Sequence, residues 1–128
     1  MQTIGLIVNP VAGMGGAVGL KGTDGAMYEK ALSLGAKPVS PARANEFLVH
    51  ISCSDALRLL AAPGPMGADH AAAAGIDYEV IGDISERPEP ADTRRIAREM
   101  VDAGAELIVF AGGDGTARDI VDAIDLQV

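Results

Sequence analysis

The sequence predicts an α/β domain of Rossmann-like, three-layer type, with a mostly parallel sheet between two layers of helices. Three observations lead there. Short apolar runs rich in β-branched residues alternate with stretches of helical period. Gly, Pro, Asn or Asp punctuates nearly every changeover. The chain has 128 residues, enough for one core and not for two. Strand–helix alternation in one domain argues for parallel strands joined by helical crossovers.

Residues 3–8, TIGLIV, predict the first strand, stopped by Asn9-Pro10. The glycine-rich loop AGMGGAVGLKGTDG follows, longer than a mere connection requires. Ala26 to Leu34 predicts a short helix stopped by Gly35, and residues 42–52 a second one after Pro41. Residues 57–62, LRLLAA, predict a strand bounded by PGPMG, and Ala68 to Ala74 a helix closed by Gly75. Tyr78 to Ile81 is a short third strand, followed by the polar loop SERPEPADT. Asp92 or Thr93 is placed to cap a helix with Ile96, Ala97, Met100 and Val101 on one face, ended by Gly104. Residues 106–111, ELIVFA, are the strongest strand signal, since a continuous apolar run suits a strand buried on both faces. After GGDGT, the residues Ala117, Ile120, Val121 and Ile124 mark a last amphipathic helix. The chain then stops at DAIDLQV, where another strand is due, so residues 1–128 are expected to be the N-terminal part of a longer two-domain protein.

Composition narrows the function classes. The net charge is −8, and residues 61–128 hold fourteen acidic against five basic groups. An acidic surface argues against nucleic acid and against anionic membranes. Two Phe, two Tyr and no Trp leave little to stack on bases. Small anionic ligands remain compatible, because backbone amides and a few cations bind phosphate locally. Cys53 is alone and, with only His50 and His70, no zinc-ligand set assembles. No basic-then-apolar leader and no run of about 20 apolar residues is present, which predicts a cytoplasmic, soluble protein. Self-association is left open.

In open α/β sheets, ligands bind beyond the carboxyl ends of the strands. Three glycine-rich loops fall there: residues 9–25, 63–67 and 112–115. The first is neither a dinucleotide fingerprint, since Val18 stands where a third glycine belongs after Gly13 and Gly15, nor a P-loop, since Lys21 is preceded by Leu20 and followed by Gly22. Amides near Gly15, Gly16 and Gly22, with Lys21 for charge, can cradle phosphate; a plain surface loop fits equally. Asn9, Thr23 and Asp24 serve as turn or cap residues on the second reading. Gly64 in PGPMG either lets a ligand approach the backbone or makes a tight turn.

Asp114 poses the sharper choice. Gly112 and Gly113 allow a sharp turn, while Gly115 and Thr116 begin a helix with free amides. A carboxylate beside an anion site repels it by about 1 kcal/mol at 4 Å even in water. It makes sense as a base for an attacking hydroxyl or as a Mg²⁺ holder, or else as the N-cap of the last helix. Arg118, in that helix's first turn, is placed to meet phosphate. Arg94, Arg95 and Arg98 can reach an anion or form an exposed face with an Arg95–Glu99 pair.

GGDGT after an apolar strand, with VNP and glycines after the first strand, resembles the superfamily of NAD kinases, diacylglycerol and sphingosine kinases, and phosphofructokinases. Within it, AGMGGAVGLKGTDG and APGPMG look like the ATP-NAD kinase family proteins of bacteria and archaea, including the acetoin-catabolism-associated branch. The resemblance runs the length of the chain. It implies a β-rich C-terminal domain and a nucleotide site in the cleft between the two. It implies Asp114 as the base toward the 2′-hydroxyl of the NAD adenosine ribose. Gly112, Gly113, Gly115 and Thr116 would hold the phosphate-bearing substrate and a Mg²⁺-bound ATP or polyphosphate, with Asn9 and residues 13–24 nearby. NAD kinases also carry an Asn-Glu or Asn-Asp motif downstream of GGDGT, which residues 117–128 do not contain, so turnover is expected to need the second domain. A lipid kinase and a nucleotide-binding regulatory module without turnover are the competing expectations.

Overall fold

A computed structural model describes residues 2–10, 40–51, 56–84, 89–125 and 128. The expected helix over 26–34 and the loop candidates Gly13, Gly15, Gly16, Lys21, Gly22, Thr23 and Asp24 lie outside them, as does Cys53.

Among the described residues four strands carry the fold: β1 (Gln2–Val8), β2 (Leu57–Ala61), β3 (Tyr78–Val80) and β4 (Leu107–Ala111). The helices are α1 (Ser40–Ile51), α2 (Ala68–Ala73), α3 (Pro90–Asp102) and α4 (Asp114–Ile124), with a 3₁₀ turn at Gly64–Met66. All strand pairings are parallel, in the order β3-β2-β1-β4. Register runs from Gln2 opposite Leu57 to Leu6 opposite Ala61 on one side of β1. On the other side it runs from Ile4 opposite Leu107 to Val8 opposite Ala111.

Strand alternation divides β1 between two cores. Ile4, Leu6 and Val8 pack with Leu59 against Ala44 and Leu48 of α1 and Ala71 of α2. Ile7 packs with Leu60 against Ile96, Ala97 and Met100 of α3 and Ile120, Ala123 and Ile124 of α4. Helices therefore cover both faces, giving the three layers expected. Each fully buried aliphatic side chain contributes about 1.5–3 kcal/mol, and β1 carries several. A salt bridge of 2.8 Å from Arg94 Nη1 to Asp119 Oδ1 ties α3 to α4.

Three local expectations are corrected. First, β4 is not buried on both faces. It is the outer strand on its side among the described residues, with Leu107 52% and Phe110 39% exposed. Hydrophobicity marks a strand, but only a second neighbour and full cover bury it.

Second, α3 begins before Asp92 or Thr93. Glu89 is its N-cap and Pro90 its first residue, and Asp92 acts from the third helical position, its Oδ2 accepting the Glu89 amide at 2.9 Å.

Third, Arg95 does not pair with Glu99. Its guanidinium meets Asp92 Oδ1 at 3.1 Å and donates to the Asp83 carbonyl. Glu99 turns toward Gly82, with Oε2 buried and without a hydrogen-bond partner among the described residues.

Candidate active site

The strand order places the site. From β1 the chain builds outward through β2 to β3, with α1 and α2 on one face. It then crosses by α3, on the opposite face, to β4 on the far side of β1. The direction of winding thus reverses between β1 and β4. Such a switch point opens a crevice at the carboxyl ends of the two strands, because the loops there leave in opposite directions. Asn9 follows β1, and Gly112 to Thr116 follow β4.

The two strand ends are joined. The Asn9 amide donates to the Ala111 carbonyl at 2.9 Å, carrying the β1–β4 ladder one step past β1. The Asn9 side-chain Nδ2 donates to Thr116 Oγ1 at 3.1 Å, across 107 residues of sequence. Thr116 is only 4% exposed.

The glycines of the motif differ in what requires them. At Gly112 a Cβ would stand 2.6 Å from Thr116 Oγ1 and 2.7 Å from Thr116 Cβ, so a side chain is sterically excluded. At Gly113 and Gly115 no atom of the described residues lies within 4 Å of that position, and neither has a positive φ. Among the described residues their lack of side chains leaves open space beside the α4 N-terminus.

Gly113, extended at φ −98° and ψ −166°, is the N-cap of α4 and offers no side chain to its amides. The first intrahelical bond there runs from Ala117 N to Gly113 O, so the amides of Asp114, Gly115 and Thr116 precede the helical ladder. Asp114 is the first helical residue rather than the cap, which corrects the N-cap alternative. Its side chain is exposed and makes no hydrogen bond among the described residues. Arg118 lies one turn further, also exposed, without an ion pair among the described residues.

A family model described as the ATP-NAD kinase N-terminal domain matches residues 4–128. The chain belongs to the ATP-NAD kinase family. The match covers both strand ends and the whole GGDGT segment, and it marks a kinase-like phosphotransferase domain without resolving any branch of the family. No curated protein and no solved structure matches the chain.

At the α4 N-terminus uncapped amides stand beside the positions of Gly113 and Gly115 that are open among the described residues, an arrangement of the kind that suits anions. Among the described residues no group of three His, Cys, Asp or Glu side chains is arranged to hold a metal ion. A Mg²⁺ ion bound mainly through substrate phosphates needs no such group.

The second loop follows β2, the neighbour of β1 on its other side. Gly64 has φ +52°, a left-handed conformation that favours glycine and supports the tight-turn reading. Among the described residues the one heavy atom within 4 Å of a Cβ built there is Ile84 Cδ1. His70 pins the turn, with Nε2 3.2 Å from the Pro65 carbonyl and Nδ1 3.2 Å from Asn45 Oδ1 of α1. Nothing in the sequence signals that brace, because its three parts come from separate elements. Arg94 and Arg95 are engaged in ion pairs, with Asp119 and Asp92 rather than with Glu99.

Proposed function

We propose that this domain, joined to a second one, transfers a phosphoryl group from ATP or polyphosphate to the 2′-hydroxyl of the NAD adenosine ribose, in the cytoplasm. The observation that carries the reading is Asp114. It projects into solvent at the switch point, beside uncapped amides, and is neither the helix cap nor tied to its own helix. In the proposed step its carboxylate takes the proton of the ribose hydroxyl. That oxygen then bonds to the terminal phosphorus of the donor as the bridging P–O bond breaks, and the shortened donor leaves with the electron pair. The amides at Gly113 to Thr116, with Arg118, would hold phosphate oxygens, and the open positions at Gly113 and Gly115 let them approach. Mg²⁺, when bound with the donor, neutralises phosphate charge.

Asp114→Asn tests this in the two-domain protein. The variant keeps NAD affinity by calorimetry and loses about 10²–10⁴-fold in NADP formation, the usual contribution of a general base. Unchanged NADP formation removes Asp114 from the chemistry. Labelled ATP consumed on diacylglycerol and not on NAD replaces the substrate, and saturable NAD binding without product replaces the enzyme by a regulatory module.

A further inference from the structure

We infer that Asn9 and Thr116 are positioning residues that latch the end of β1 to the first turn of α4, and that the Thr116 side chain does not contact ligand. The inference rests on the kinase reading for its catalytic consequence but on geometry for the latch itself. Thr116 Oγ1 accepts the Asn9 Nδ2–H at 3.1 Å, and Thr116 is 4% exposed, too enclosed to meet a substrate. Gly112 lies so close that a Cβ there would come within 2.6–2.9 Å of three Thr116 side-chain atoms. The threonine is therefore held from two sides, by a hydrogen bond from one strand end and by the bare backbone of the other. Asp114 sits between Gly112 and Thr116 in sequence, so both ends of its short segment are fixed. What faces the crevice is then the acid and the open glycine positions at 113 and 115, not the hydroxyl.

The purpose follows from the chemistry. A base acts only within hydrogen-bond reach of its proton, and a misplacement of about 1 Å can cost on the order of 10²-fold in rate. Among the described residues Asp114 has no hydrogen bond of its own to hold it, so its placement there depends on the backbone beneath it. The latch supplies that rigidity.

Amide hydrogen exchange on the chain decides the latch, with Asn9→Ala, Thr116→Val, the double variant and Thr116→Ser compared. Each single variant is expected to speed exchange at residues 117–120 by about two- to tenfold, the net worth of one hydrogen bond. The double variant should add nothing further, and Thr116→Ser, which keeps the hydroxyl, should stay near wild type. Independent, additive effects or no effect overturn the latch.

Ligand contact is read separately. NAD affinity by calorimetry should change less than about twofold in Thr116→Val, whereas in the two-domain protein kcat falls about 10- to 100-fold with KM for NAD unchanged and Thr116→Ser recovers it. A tenfold weaker NAD affinity with normal exchange makes Thr116 a ligand contact and overturns the inference. If the wild-type protein neither binds NAD nor forms NADP, the kinase reading fails, and the exchange cycle still decides whether the latch exists.

Discussion

Strands β1 and β4 lie side by side, and in sequence they are nearly twins: an apolar run, then a turn, then a glycine-rich loop. In the fold they differ sharply. β1 is buried from Thr3 to Val8, whereas the more uniformly apolar β4 leaves Leu107 and Phe110 substantially exposed. The difference is one of neighbours. β1 has β2 and β4 beside it and helices on both faces; β4 has only β1 among the described residues. The site is built where these unequal strands end, so one wall of it belongs to the rigid centre of the sheet and the other to its margin. The Asn9–Thr116 bond ties the margin to the centre.

Cutting into each strand gives the largest effect. Ile7→Ala, at a fully buried position of β1, should destabilise by about 2–5 kcal/mol in urea unfolding, while Phe110→Ala should stay below about 2 kcal/mol. Equal losses would mean that β4 is covered in solution.

The loop after β4 offers a finer contrast. Gly112→Ala should cost about 1–3 kcal/mol by overpacking against Thr116, whereas Gly113→Ala should lie within about 0.5 kcal/mol of wild type. If both are neutral, the backbone yields at Gly112 and the close approach does not matter. If Gly113→Ala is neutral for folding yet weakens nucleotide binding, the glycine serves a ligand.

The smallest effect concerns the opposite edge. β3 has three residues, and its Glu79 receives two hydrogen bonds from Arg58 of β2, at 3.0 and 2.8 Å. Those bonds, with the guanidinium charge, outweigh desolvation and hold the Glu79 carboxyl below its ordinary range. Its folded pKa is thus below its unfolded value of about 4.3. The contribution is present above that value and is lost as pH falls through the folded pKa. Urea midpoints measured from pH 6 down to pH 3 should fall slightly more steeply for wild type than for Glu79→Gln. Identical slopes would show that solvent screens the pair completely.

Much of this was legible beforehand. The alternation of strand and helix, the proline at the start of α1 and the position of Asp114 just past β4 all depend on residues close in sequence. The start of α3 differs from the expected one because two acids three residues apart, Glu89 and Asp92, and a proline compete to begin a helix, and the competition is settled by which amide each carboxylate reaches. Glu99 departs from its expected i,i+4 pairing because the recess beside Gly82 that receives it is formed by a distant segment. Within GGDGT the glycines look alike as letters; Thr116, folded back against Gly112, separates the sterically required one from the two that stand open.

Local patterning alone therefore determined the α/β class, the element order, the family resemblance and the place of the acid at a strand end, because propensity and periodicity act over a turn or a few strand residues. Tertiary structure alone decided which strand is central, that winding reverses between β1 and β4, and that Asn9 meets a threonine 107 residues away. Such contacts are set by how layers pack and by which groups must be satisfied once water is excluded, and no short window of sequence carries that information.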